Sequence, residues 1–227
     1  MKKNKQRQTA ASATQATSSE PVNILENYCN KIKECGHECD GVRGEPVCVP
    51  CLHPDCGGTS AADKLKKEVP YTVEDDCGIC FSGLEESPCY RLCQTHIFHA
   101  SCIERLFKAR WSTMSISFAY LSCPGCKVAM DIPEAFPVLG ALFQTQIAYK
   151  ANIEKMSISE ATRAGLRTSP KLKDEDDEFY NNFKGLALAS CTFYECNACK
   201  TPYFGGMIDC RQAMREERSI EQKDLRC

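Results

Sequence analysis

A small α+β fold whose apolar core is incomplete by itself is what this sequence predicts, and three observations carry that reading. The first is a run of four residue pairs, Cys77-x2-Cys80, Cys93-x2-His96, His99-x2-Cys102 and Cys123-x2-Cys126. A Cys-x2-Cys step lets two thiolates from one short loop bind a single ion at tetrahedral angles, and two such pairs close a structural zinc site. Four pairs therefore imply two zinc ions. The second observation is that Leu, Ile and Phe are thinly spread through the cysteine-rich parts, so metal must replace much of a conventional core. The third is a set of helix signals: capping boxes at Ser101-x-x-Glu104 and Ser157-x-x-Glu160, and Pro137 suited to a first turn.

Taken in order, residues 1–20 are basic and polar and read as a disordered tail. Residues 28–56 form a first cluster, with Cys29, Cys35, His37, Cys39, Cys48, Cys51, His53 and Cys56. Cys35 and Cys39 with Cys48-x2-Cys51 suffice for one zinc site. Cys29, His37, His53 and Cys56 then build a second or lie free, and spacing leaves the pairing open. Residues 57–70 read as a polar linker. Within 71–131, the capping box at Ser101 opens a helix from about Cys102 to Trp111, with Ile103, Leu106 and Phe107 on its inner face. Ser115 to Ser122 reads as an extended insertion.

Residues 132–168 form a helical linker, because Leu139, Leu142, Phe143 and Ile147 recur at helical spacing. With a second capping box at Ser157, the region from about 137 to 166 is one interrupted helix or two. The acidic run 174–178 lacks the glycine and spacing of a calcium loop and reads as solvated linker. The last segment, 169–227, carries Cys191, Cys196-x2-Cys199, Cys210 and Cys227. Cys196, Cys199 and Cys227 read as part of a further zinc site, with Cys210 or Cys191 as candidates for the remaining ligand.

Composition excludes several classes. Eighteen cysteines would suit a secreted disulfide scaffold, but the N-terminus lacks the apolar stretch of a signal peptide. Cysteines at metal spacing then point to an intracellular, most simply cytoplasmic, protein. Twenty-eight basic against thirty acidic residues give a net charge of −2 without a concentrated basic block, which disfavours nucleic acid as a partner. No run reaches the length of a membrane span. Cys123-Pro124-Gly125-Cys126 alone also suits a redox dithiol, but that chemistry needs a βαβ unit, and no such pattern is visible.

The alternation of the four pairs resembles the RING-H2 finger, in which pairs interleave as a cross-brace. The resemblance implies that Cys77, Cys80, His99 and Cys102 hold one ion, and that Cys93, His96, Cys123 and Cys126 hold the other. It also implies a surface for a ubiquitin-conjugating enzyme (E2). Ile79 stands within the first pair, Trp111 at the helix and Pro124 after the seventh ligand, the positions that line the E2 groove in RING domains. Lys127 stands where many RING ligases place a cation that bridges enzyme and ubiquitin. Trp111 equally suits core packing.

Beyond the RING, Phe179-Tyr180-Asn181, Tyr194-Glu195-Cys196-Asn197-Ala198-Cys199 and Tyr203-Phe204-Gly205-Gly206 are similar to the C-terminal part of the Pam/Highwire family of giant ubiquitin ligases. So are His96-Ile97-Phe98-His99, Arg110-Trp111 and Ser122-Cys123-Pro124. The resemblance implies an E3 ubiquitin ligase that recruits a charged E2 and relays ubiquitin through two cysteines to threonine or serine of a protein substrate. The first relay position matches Cys210. The second lies beyond Cys227, so the tandem-cysteine domain is expected to be incomplete here. Asp209 raises and Arg211 lowers the Cys210 thiol, so local charge does not decide its reactivity, while Gly205 and Gly206 suit a mobile loop beside it. The fourth-ligand reading of Cys210 stands beside the nucleophile reading. An ordinary non-covalent RING ligase and a non-enzymatic zinc-dependent interaction module are the alternatives.

Overall fold

A computed structural model describes residues 27–56, 74–136 and 138–208. The expected tail 1–20, the linker 57–70, Pro137, Cys210 and Cys227 lie wholly or largely outside them. The described chain is a small mixed α/β fold with several cysteine and histidine clusters. Its elements are β1 (Cys89–Arg91), β2 (Ile97–His99), α1 (Ala100–Ala109), α2 (Leu139–Arg163), α3 (Phe183–Ser190), β3 (Cys191–Glu195) and β4 (Pro202–Met207).

β1 and β2 form a short antiparallel hairpin with Cys89 opposite His99. Three residues per strand give little sheet energy, so packing must hold the hairpin. The chain runs from β2 directly into α1, which begins at Ala100 rather than at Cys102. Ser101 is therefore inside the helix and not its cap. The Ala100 amide bonds to the Pro88 carbonyl at 2.8 Å, fixing the start two residues early. At the other end Arg110 adopts φ 58 and stops the helix, so Trp111 lies just beyond it. Ile103 and Phe107 are fully buried as expected, and Leu106 packs against the same core.

α2 is one unbroken helix of 25 residues, not an interrupted one. Ser157 is buried in its interior, and its hydroxyl donates back to the Ile153 carbonyl at 2.8 Å, so it satisfies itself within the helix instead of capping a new one. The two ends of α2 serve two cores. Leu139 and Phe143 join the first, with Phe107, Ile97, Ile132 and Phe136. Ile153 and Ala161 join the second, with Ala187, Cys191 and Phe193. Asn182 caps α3: its side chain accepts from the Gly185 amide at 2.9 Å, an ordinary N-cap.

β3 and β4 pair antiparallel with a bulge at Thr192 and Phe193. Part of the expected 115–122 insertion meets this hairpin: Ser115 bridges Tyr194, and the Ile116 amide bonds to the Phe193 carbonyl at 2.8 Å. Gly205 and Gly206 sit in β4 and not in a free loop. Gly206 has φ +130 at the bulge, and a Cβ on Gly205 would lie 2.2 Å from the Tyr194 ring. The N-terminal cluster joins the first core through Val42 and Leu52, and Gly41 bridges Cys89 alongside β1. Among the described residues no helix is long and apolar enough to cross a membrane.

Candidate metal centres

Four groups of ligand atoms converge within 4.8 Å: Cys77, Cys80, His99 and Cys102; Cys93, His96, Cys123 and Cys126; Cys35, His37, Cys51 and Cys56; and Cys29, Cys39, Glu45 and Cys48. In the central segment the first pair meets the third, and the second meets the fourth. Tetrahedral zinc with Zn–S of about 2.3 Å and Zn–N of about 2.0–2.1 Å sets S···S edges near ~3.8 Å and S···N edges near ~3.6 Å. The Cys93 sulfur lies 3.8 Å from Cys123 and 3.6 Å from Cys126. His99 Nδ1 lies 3.3 Å from Cys80 and 3.9 Å from Cys102. His37 Nδ1 lies 3.0 Å from Cys56 and 3.8 Å from Cys51. The Cys93 and His99 spacings lie close to these edges, His37 and Cys56 sit closer than a bound ion would hold them, and the cysteines of these four groups form no disulfide.

The surrounding groups prepare the ligands. His99 Nε2 donates to the Gly83 carbonyl at 2.9 Å, which leaves Nδ1 with its lone pair toward the thiols. The Arg105 guanidinium donates to Cys102 Sγ at 3.1 Å. A Cβ on Gly125 would meet the His96 ring at 2.5 Å, so only glycine lets the last pair close over that histidine. Burial acts to raise the Cys80 thiol, but the Ser82 amide, His99, Cys102 and Cys77 outweigh it and bring it to about 6. Burial likewise acts to raise the Cys93 thiol, but hydrogen bonds from Thr95 and His96 outweigh it and bring it to about 6. Cys35 falls to about 6 through hydrogen bonds from His37. Their neighbours are held protonated: burial lifts Cys102 to about 12 and Cys123 to about 11. Each of these three groups thus offers a ready thiolate, and a divalent cation would relieve the cost of ionising the rest.

The first N-terminal quartet read from spacing does not assemble. Cys35 and Cys51 go to one group, Cys39 and Cys48 to the other. The chain at 27–43 folds as a tight antiparallel turn, with Tyr28 opposite Val42 and Ile32 opposite Glu38. That places Cys29 and Cys39 on one face near Glu45 and Cys48, while Cys35 and His37 at the tip reach Cys51 and Cys56. His53 stacks on His37 at 3.9 Å.

Three Cys-x2-Cys loops share one backbone geometry. The first cysteine's amide bonds to a carbonyl five residues on, and its carbonyl accepts from the amide four residues on, at Cys77, Cys123 and Cys196 alike, all at 2.8–2.9 Å. The residue after the second cysteine, Phe81, Lys127 or Lys200, takes φ of 61, 63 or 57, a region uncommon for residues bearing a side chain. Cys196 and Cys199 therefore have the loop conformation of the two central pairs. Among the described residues no group of three or more ligands includes them. Cys191 is buried, its sulfur 3.8 Å from the Ser157 carbonyl, and burial raises its thiol.

No protein-family model matches the chain. Over 200 residues it is 31% identical to E3 ubiquitin-protein ligase MYCBP2 of Danio rerio, covering 88% of this chain and 4% of that protein. It is 30% identical over 200 residues to E3 ubiquitin-protein ligase highwire of Drosophila melanogaster, covering 86% of this chain and 4% of that protein. The chain is a distant homologue of Pam/Highwire-type E3 ubiquitin ligases. It spans about 4% of the length of these relatives. A stretch covering 88% of this chain necessarily takes in the N-terminal cluster from Cys35 onward as well as the central eight ligands.

Around these centres, Ile79 and Pro124 are half-buried, and Ile79 packs against the first core. Lys127 is exposed, its ammonium 2.9 Å from the Pro124 carbonyl. Trp111 is half-buried, stacked on Tyr149 at 5.9 Å, and lines a cleft of about 350 Å³ with Lys108, Met114 and Glu195. Arg110 lies over both rings at 5.3 and 5.5 Å and pairs with Glu195 of β3 at 2.5 Å. This joins the end of α1 to a strand 85 residues later. Arg110→Ala is expected to cost about 1–2 kcal/mol, since a partly exposed ion pair and cation–π contacts are lost together. Glu195→Gln should cost less. In denaturant melts of a double-mutant cycle, strictly additive losses would show that the pair does not couple the two segments.

Spacing alone missed Glu45, because a single carboxylate carries no pairing signal. It also left Cys29 unassigned. The short step Cys35-x-His37 was the available hint for the tip group.

Proposed function

We propose that this chain is the E2-recruiting platform of a RING-type E3 ubiquitin ligase, with the two central ligand groups forming a zinc cross-brace. The observation that carries this reading is the alternate convergence of Cys77/Cys80 with His99/Cys102 and of Cys93/His96 with Cys123/Cys126. Homology to ligases of the Pam/Highwire type supports it. In this reading the zinc ions fold the platform, and catalysis is positioning: a charged E2 is held so that its thioester meets a nucleophile. Ile79, Trp111 and Pro124 form the E2 contact. Cys210 is the first covalent relay position: its thiolate attacks the E2–ubiquitin thioester carbonyl and the E2 thiolate leaves. Because the second relay position is not in this chain, the ubiquitin thioester on Cys210 accumulates or hydrolyses instead of reaching a threonine or serine hydroxyl efficiently.

The test is single-turnover discharge of a ubiquitin-charged E2. Ile79→Ala should reduce discharge at least tenfold with zinc content unchanged, because loss of an interface anchor costs about 2 kcal/mol or more. Loss of zinc in that variant would mean that Ile79 is core and the groove is misplaced. Cys210→Ser should remove a reductant-sensitive ubiquitin adduct on this chain. Normal discharge and an unaltered product pattern in that variant would favour a non-covalent RING mechanism.

A further inference from the structure

We propose that Cys29, Cys39, Cys48 and Glu45 form a further zinc site in which the Glu45 carboxylate is the fourth ligand. Two independent observations meet there. The three sulfurs and a Glu45 carboxylate oxygen all lie within 4.8 Å of one another, with Cys29 and Cys48 at 3.9 Å and Cys39 and Glu45 Oε1 at 3.8 Å. The last two separations are close to edges of a tetrahedron around zinc with sulfur and oxygen ligands. Separately, Glu45 is 4% exposed and its Oε2 is the buried side-chain oxygen without a hydrogen-bond partner among the described residues. A carboxylate is costly to bury unless it is paired or binds metal.

The neighbourhood suits a cation held by four anionic ligands. Three thiolates and a carboxylate leave the zinc centre with a net charge of −2, and the Lys33 ammonium, which bonds to the Val49 carbonyl between Cys48 and Cys51, supplies compensating charge. The site also has structural leverage. Cys39 begins the stretch that reaches β1, where the Cys89 amide bonds to the Asp40 carbonyl at 2.7 Å and Val42 enters the first core. An ion there clamps the N-terminal turn onto the strand that leads to the central ligands.

The measurement is zinc per folded chain on the full protein, combined with the absorption spectrum after cobalt replacement. Glu45→Gln is expected to lose one equivalent of zinc relative to the parent protein. Glu45→Cys should restore it and add a sulfur-to-cobalt charge-transfer contribution, which also guards against a simple packing defect. Cys39→Ser/Cys48→Ser should lose the same equivalent. If the parent binds no more zinc than the double cysteine variant, no metal sits at this site and the proposal fails. If Glu45→Gln keeps the full count and an unchanged cobalt spectrum, Glu45 is not a ligand and the proposal fails. None of these outcomes depends on ligase activity, so they are separable from the reading of the chain as an E3.

Discussion

Removing zinc is expected to unfold the N-terminal and central parts of the protein, not merely to expose thiols. Binding of one structural zinc contributes about 10–16 kcal/mol in small metal-dependent folds, whereas whole domains are stable by about 5–15 kcal/mol. Loss of a single ion therefore outweighs the reserve. The strands have little stability to add: β1 and β2 have three residues each and pair with one another, and β2 ends at the candidate ligand His99. The readout is the sole tryptophan, Trp111, stacked on Tyr149 at the edge of the central unit. Chelation should release it to solvent and shift its emission, in step with loss of near-ultraviolet dichroism. Part of the far-ultraviolet helix signal should survive, because α2 and α3 have a second core of their own. A metal-free protein with unchanged Trp111 emission would refute the metal reading.

Acidification should act in the same direction. Cys35, Cys80 and Cys93 are held near 6, below the ordinary thiol value of 9.0. Groups lowered on folding contribute stability that is complete above the ordinary value and is lost as pH falls through the folded one. Protonation of the ligands also competes with zinc, so both effects weaken the fold toward pH 6 and below.

What the sequence made legible followed the strength of its local signals. The convergence of the eight central Cys and His residues was readable because pairs of this spacing repeat four times, a repetition that a single redox dithiol does not give. The helical nature of 139–163 was readable from Leu139, Leu142 and Phe143. Helix ends were not, because Ser101 and Ser157 mimic capping boxes while tertiary contacts decide: the Pro88 carbonyl draws α1 back to Ala100, and burial of Ser157 keeps α2 continuous. The N-terminal groups were unreadable for another reason. Their members are separated by unequal gaps, and the antiparallel turn at 27–43 interleaves them in space. Gly205 and Gly206 suggested mobility, yet a bulge and an aromatic ring can demand glycine as strictly as a loop does.

Phe107→Ala is expected to show that metal does not carry the central unit alone. Phe107 has no exposed surface, lies on the buried face of α1, and its ring centroid is 5.7 Å from that of Phe143 on α2. It is thus one of the contacts through which α1 meets α2, the helix that continues to the second core. Truncating such a ring removes its transfer energy and leaves a cavity that neighbours fill only in part, a loss of about 3–5 kcal/mol. The same core contains Ile103, one turn back on the same helix, Phe136 just before α2, and Leu139 at its start. Equilibrium unfolding with zinc in excess should give a lowered midpoint, while zinc per folded chain stays constant, because no ligand is touched. A loss below about 1 kcal/mol would mean that the ligand loops hold α1 without help from its apolar face. A loss of zinc along with stability would mean that the α1–α2 contact sets the geometry of His99 and Cys102. The first result would move the weight of the fold onto the metal. The second would make the apolar contact a condition for building the site.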